Sequence, residues 1–114
     1  MDNAELERRC SAVLERLSLD AAQYTECVER YGWDSPPVLG CLLALVREAW
    51  DEPELYVRSS RDDESWIVCA ADHEGRERLM VLRSDPYRAS EAEALVVALE
   101  AAPESARRPG DGAR

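Results

Sequence analysis

S-P-P-V-L-G-C-L-L-A-L-V-R-E-A-W, residues 35–50, is the stretch whose reading decides the fold. Residues 38–46 within it carry no polar side chain, so a helix here is apolar around its whole circumference, which in a soluble chain means burial on every side. It is too short to cross a bilayer. Ser35 is placed as N-cap, Pro36 fits the first helical position, where no N–H is missed, and Pro53 closes the far end. The reading is a central core helix.

Upstream, Leu6, Cys10, Val13, Leu14 and Leu17 follow a helical spacing over residues 2–17, with Asp2 and Glu5 placed to cap its start. A second helix is expected over residues 19–31, with Ala21, Tyr24, Val28 and Tyr31 on one stripe, Ser18 or Asp20 as cap, and Gly32 as its stop. Downstream of Pro53 the period changes to two. Strands are expected from Leu55 to Arg58, over residues 65–71 and over residues 77–83, with a polar loop at 59–64 and a tight turn at 72–75. Trp66, Val68 and Ala70 fall on one face of the middle strand, and Ile67, Cys69 and Ala71 on the other. Both faces are apolar and want cover. The last helix, residues 91–102, opens on the capping box of Ser90 and Glu93 and ends at Pro103. The fold class expected is therefore α+β: a three-stranded antiparallel sheet between the central apolar helix and the C-terminal helix, with an N-terminal helical hairpin alongside. Residues 1–103 form one compact domain in this reading, and residues 104–114, without large apolar side chains, a disordered tail.

Charge bounds the partners. The 114 residues hold 24 acids against 14 basic residues, a formal net charge of −10, and every basic residue is arginine. Binding nucleic acid directly through a phosphate-tracking surface needs clustered cations, so that mode is not expected. A protein partner is, including one whose own site is basic. No signal peptide or membrane span opens the chain, because residues 1–9 are charged and lack an apolar core, which points to the cytoplasm. Cys10, Cys27, Cys41 and Cys69 are widely spaced and read as buried reduced thiols rather than a disulfide framework.

Chemistry is thinly represented. His73 stands four residues after Cys69, a spacing that can bring two ligands to one metal, but nothing nearby completes a set, and a solvated turn histidine is the simpler reading. There is no lysine and no glycine-rich phosphate loop, so no catalytic residue, cofactor or metal is assigned. The acids are more informative. Glu48, Asp51, Glu52, Glu54, Asp62, Asp63 and Glu64 face only two arginines, Arg58 and Arg61, across residues 48–64. They would line one edge of the sheet, either as charge that blocks edge-to-edge pairing or as a surface that docks on a basic partner site. Tyr87, in S-D-P-Y-R, is a candidate anchor for such a contact, whereas Trp33 and Trp50 sit at helix boundaries, where packing over a helix end explains them. The N-terminal hairpin would also serve as a homodimer surface.

The order helix, strand, strand, strand, helix over residues 36–102 resembles that of double-stranded RNA-binding domains, but S-E-A-E-A opens the last helix where those domains carry a lysine-rich cluster. The runs P-P-V-L-G-C-L-L-A-L-V, S-W-I-V-C-A and S-E-A-E-A-L-V-V-A-L-E-A-A also resemble the small phage proteins described as an ABA sandwich, over a little more than half the chain. That resemblance implies a phage or prophage origin and a non-enzymatic inhibitor of a host complex, the class that includes anti-CRISPR proteins. A secretion chaperone or toxin-immunity protein, binding one cognate partner through an apolar surface, is the alternative.

Overall fold

A computed structural model describes residues 2–33, 35–59, 66–71, 74–79 and 90–103. The class is α+β. The elements run α1 (Asn3–Arg16), α2 (Ala22–Tyr31), α3 (Pro36–Trp50), β1 (Tyr56–Ser59), β2 (Trp66–Ala71), β3 (Glu77–Leu79) and α4 (Glu91–Ala101).

Local rules account for most element ends. Asp2 Oδ1 accepts from Glu5 N at 2.8 Å and Ser90 Oγ accepts from Glu93 N at 3.1 Å, so α1 and α4 begin where their capping residues stand. α1 ends at Ser18, which takes the left-handed conformation (φ 55°); Ser18 N donates to Glu15 O, and Leu19 N donates to Leu14 O. This is a Schellman closure, with Leu14 and Leu19 both buried across it. Ser18 therefore terminates α1 instead of capping α2, and Asp20 Oδ1 takes the first orphan donor, Ala22 N, at 3.1 Å. Ser35 occupies the N-cap position of α3, yet its buried hydroxyl accepts no bond. One of the two N–H groups that a cap serves is missing, because Pro37 stands at the second helical position.

β1 pairs antiparallel with β2, Tyr56 opposite Cys69 through to Ser59 opposite Trp66. On the other edge of β2, Cys69, Ala70 and Ala71 lie opposite Leu79, Arg78 and Glu77. Residues 80–83 of the expected third strand lie outside the described residues, as do the loop at 60–65 and the tail at 104–114. Val68, Ala70 and half-buried Trp66 join the main core from one face of β2, while Ile67 and Cys69 are buried on the opposite face.

The helix at the centre is not the expected one. α3 buries a single stripe, Val38, Leu42, Leu45, Val46 and Ala49, and leaves Leu39, Cys41 and Leu43 half-exposed. α4 is buried continuously from Ala94 to Leu99 and again at Ala92. It packs against α1, α3 and β2, whereas α2 packs on α3. So α4 lies on the sheet, and the two arms of the N-terminal hairpin rest on different helices. The outer face of α3 is made of Gly40, Ala44 and Glu48, all exposed, and offers little apolar surface to a further neighbour, whereas α4 buries Leu95, Val96, Val97 and Leu99 around its circumference. α2 is correspondingly thin in buried surface, with Tyr24 its one fully buried side chain and Tyr31 left 54% exposed at the end of its expected stripe.

Polar groups complete the packing of α4. Its last carbonyls have no partners within the helix, and Pro103 has no N–H to offer. Trp50 Nε1 donates to Ala98 O at 2.8 Å, Arg16 Nη2 to Glu100 O at 3.3 Å, and Ala102 N to Leu99 O at 3.1 Å. Arg9 adds a two-pronged contact to the Glu100 carboxylate, with Nε to Oε2 at 2.8 Å and Nη2 to Oε1. Trp50 thus packs over a helix end, as its position in the sequence implied, but the end is that of α4.

Truncation will separate the two apolar helices. Leu95→Ala, at a fully buried position of α4, should cost about 2–5 kcal/mol. Leu39→Ala, on the half-exposed face of α3, should cost about 1 kcal/mol. Urea unfolding of both variants measures the difference, and equal costs would mean that α3 is as central as α4.

Candidate functional site

The acids singled out in the sequence and described by the structure meet at the corner where α3 turns into β1. Asp51 adopts φ 54° and ψ 44°, a left-handed conformation more usual for glycine. Around it, Asp51 N donates to Glu48 O at 3.2 Å and Glu52 N to Arg47 O at 3.0 Å, a second Schellman closure. Leu55 N then donates to Glu52 O, and Arg47 Nε donates to Leu55 O at 2.7 Å. Leu55 is fully buried and pins the turn. Glu48, Asp51 and Glu54 are exposed on this frame, and Glu52 is half-exposed.

The placement runs against helix electrostatics. The C-terminal end of a helix carries a partial negative charge, so an anion there is disfavoured by about 0.3–1 kcal/mol. Four carboxylates share that end of α3. The one basic residue of its last turn, Arg47, is directed at the Leu55 carbonyl.

A groove of about 250 Å³ runs from this corner between α2 and α3, with Glu48 and Asp20 on its rim and Tyr24, Cys41 and Leu45 along its floor. Asp20 extends the negative surface onto the start of α2. Its capping role gave no hint of this, because the approach of α2 to α3 is set by tertiary packing. Beneath the groove, Tyr24 Oη is buried without a hydrogen-bond partner, and the Tyr24 ring meets Trp33 edge to face at 6.4 Å. Burial pushes the Tyr24 hydroxyl up from its ordinary 10.0, and pushes the Cys10 thiol up from 9.0 to about 11. The two groups face each other electrostatically without the geometry of a hydrogen bond. Cys27 and Cys41, across the α2–α3 contact, have their sulfurs 3.4 Å apart.

Asp62, Asp63, Glu64, Tyr87 and His73 lie outside the described residues. Among the described residues no cluster of three or more His, Cys, Asp or Glu side chains could hold a metal, and no helix is long and apolar enough to cross a membrane. No family model, curated protein or solved structure matches the chain.

Two outcomes follow from this geometry. Asp51→Gly relieves the left-handed backbone and removes one charge from the helix end, against the greater freedom of glycine in the unfolded chain; the net expectation is a gain of about 0.5–1 kcal/mol in urea unfolding. A loss would mean that the Asp51 side chain holds the corner together.

Alkali should act through the buried hydroxyl and thiol. The unfolded chain releases the Cys10 proton from about pH 9.0 and the folded chain only near 11, so the unfolded state binds fewer protons in that window and stability falls as pH rises through it. The slope is about 1.4 kcal/mol per pH unit for the thiol, and Tyr24 adds to it above pH 10.0. Denaturant titrations from pH 8 to 11 on the native chain and Cys10→Ala test this, since the variant must lose the thiol's share.

Proposed function

We propose that this chain is a non-enzymatic protein-binding module whose acidic α3–β1 corner docks on a basic surface of a partner protein. In its most concrete form the partner is a nucleic-acid-handling complex of a host cell, and the chain is a phage or mobile-element inhibitor of the anti-CRISPR kind. The carboxylates occupy the place that phosphate would take on a basic site.

One observation supports the reading above the others. Glu48, Asp51, Glu52 and Glu54 crowd the end of α3 where the helix dipole opposes them, around a non-glycine residue held left-handed. Surface charge needed only for solubility would be as effective at helix N-termini, where it also stabilises. Features that break a local rule are the places to look for function. The alternative, a chaperone or immunity protein with an apolar docking surface, draws its support from Tyr31, the large apolar side chain exposed among the described residues.

The test compares the native chain with the variant Glu48→Gln, Asp51→Asn, Glu52→Gln and Glu54→Gln, which keeps the hydrogen-bonding shapes and, with asparagine, the left-handed turn. Tagged protein is used to capture partners from nuclease-treated host lysate. The charge-borne reading expects a basic nucleic-acid-handling complex that is held at about 0.1 M salt, where charges act over about 10 Å, and released at about 1 M, where they act over about 3 Å. Neutralisation should weaken capture about tenfold or more, and added nucleic acid should compete. Capture that is indifferent to the four substitutions overturns the proposal. A partner retained at 1 M salt and lost with Tyr31→Ser would establish the apolar alternative.

A further inference from the structure

Cys27 on α2 and Cys41 on α3 stand apart from the other two cysteines. Their sulfurs are 3.4 Å apart, each is half-buried, and Cys41 lines the groove between the helices. Cys10 and Cys69 are fully buried. A disulfide places its sulfurs about 2.05 Å apart, so the two sulfurs stand little more than an ångström beyond bonding distance. Burial pushes the Cys41 thiol up, and its contact with Cys27 pushes it further, so little of it is thiolate at neutral pH and its reaction with an oxidant is slow.

We propose that Cys27 and Cys41 form a reversible dithiol–disulfide site that clips α2 to α3 under oxidising conditions. The oxidant is a low-molecular-weight disulfide of the glutathione disulfide class. One cysteine, as thiolate, attacks a sulfur of the oxidant, breaking its S–S bond, forming a mixed disulfide and expelling one glutathione thiolate. The second cysteine gives up its proton and attacks the protein-side sulfur of that mixed disulfide, expelling the second glutathione thiolate. Two electrons pass from the cysteines to the oxidant, which ends as two thiols, and the two protons released by the protein balance the change. A dithiol reductant reverses it.

The clip acts where the fold holds least. α2 keeps one fully buried side chain, Tyr24, against α3, and the covalent link would fasten the wall of the groove that carries Asp20. The loop it closes spans the α2–α3 turn at Gly32.

The full chain is incubated with glutathione disulfide, quenched with an alkylating agent under denaturing conditions, and cleaved after arginine. That cleavage leaves Cys10, Cys27, Cys41 and Cys69 on four different peptides, because Arg9, Arg16, Arg30, Arg47, Arg61 and Arg76 separate them. The expected product is the Cys27 peptide joined to the Cys41 peptide, with Cys10 and Cys69 alkylated. It should come with a rise in Tm of roughly 5–10 °C that the reductant abolishes. Cys27→Ser and Cys41→Ser must each lose both the crosslinked peptide and the oxidant-dependent rise. Stable separate glutathione adducts on Cys27 and Cys41, a link to Cys10 or Cys69, a link between two chains, or thiols that remain unreacted would each overturn the proposal.

Discussion

The structure depends on covering α4 from every direction. An eleven-residue helix has no stability of its own in water, and one that is apolar on all sides gains it only from neighbours on all sides. α1, α3 and β2 are those neighbours. Surrounding a helix end also shuts out the water that would otherwise bond its carbonyls, so the covering elements must supply donors as well as apolar surface. Trp50 from α3 does both, packing against the core and donating to Ala98 O, while exposed Arg16 from α1 supplies a donor to Glu100 O. Arg9 then uses the bidentate geometry of a guanidinium on Glu100, so α1 is held to α4 by shape and charge together.

That arrangement sets the position of the acidic corner. With its buried stripe committed to the core and Trp50 committed to the end of α4, the last turn of α3 presents Glu48 outward. The chain must then reverse sharply to bring buried Leu55 and β1 to β2. The reversal is made by left-handed Asp51 and by Arg47 reaching Leu55 O, and the acids it displays are carried on a turn fixed at both ends.

What could be read from the sequence was what depends on short range. The caps at Asp2 and Ser90, the helical spacing of Leu6 through Leu17 and the two-sided apolar character of β2 need only neighbouring residues to be recognised. What could not be read depended on comparing distant segments. α3 and α4 both present long apolar runs, and which of the two is covered on every side depends on where α1 and the sheet pack. The same holds for Ser18 and Asp51, whose left-handed backbones carry no glycine to announce them. Tyr31 fits the α2 stripe by spacing, but it stands at the last position of the helix and is left exposed. Of the candidate site, Glu48, Asp51, Glu52 and Glu54 were legible as a charge run; Asp20 was not, because only the approach of α2 to α3 brings it near them.

These features divide the molecule unevenly. Around α4 the local preferences agree: Ser90 fills the N-cap, the carbonyls of Ala98, Leu99 and Glu100 are bonded, and Arg9 is paired with Glu100. The departures gather on α2, α3 and their ends. Tyr24 Oη, Trp33 Nε1 and Ser35 Oγ are buried without partners, each a loss of about 1–3 kcal/mol relative to a bonded group. Ser18 and Asp51 hold left-handed backbone before α2 and after α3, four acids oppose the α3 dipole, and two thiols touch across the helix pair. A chain selected only to fold would have little reason to concentrate such costs in one half. Small free-energy changes, from a bound partner or a new bond, would therefore have their largest effect at the α2–α3 pair, where α2 adds one fully buried side chain.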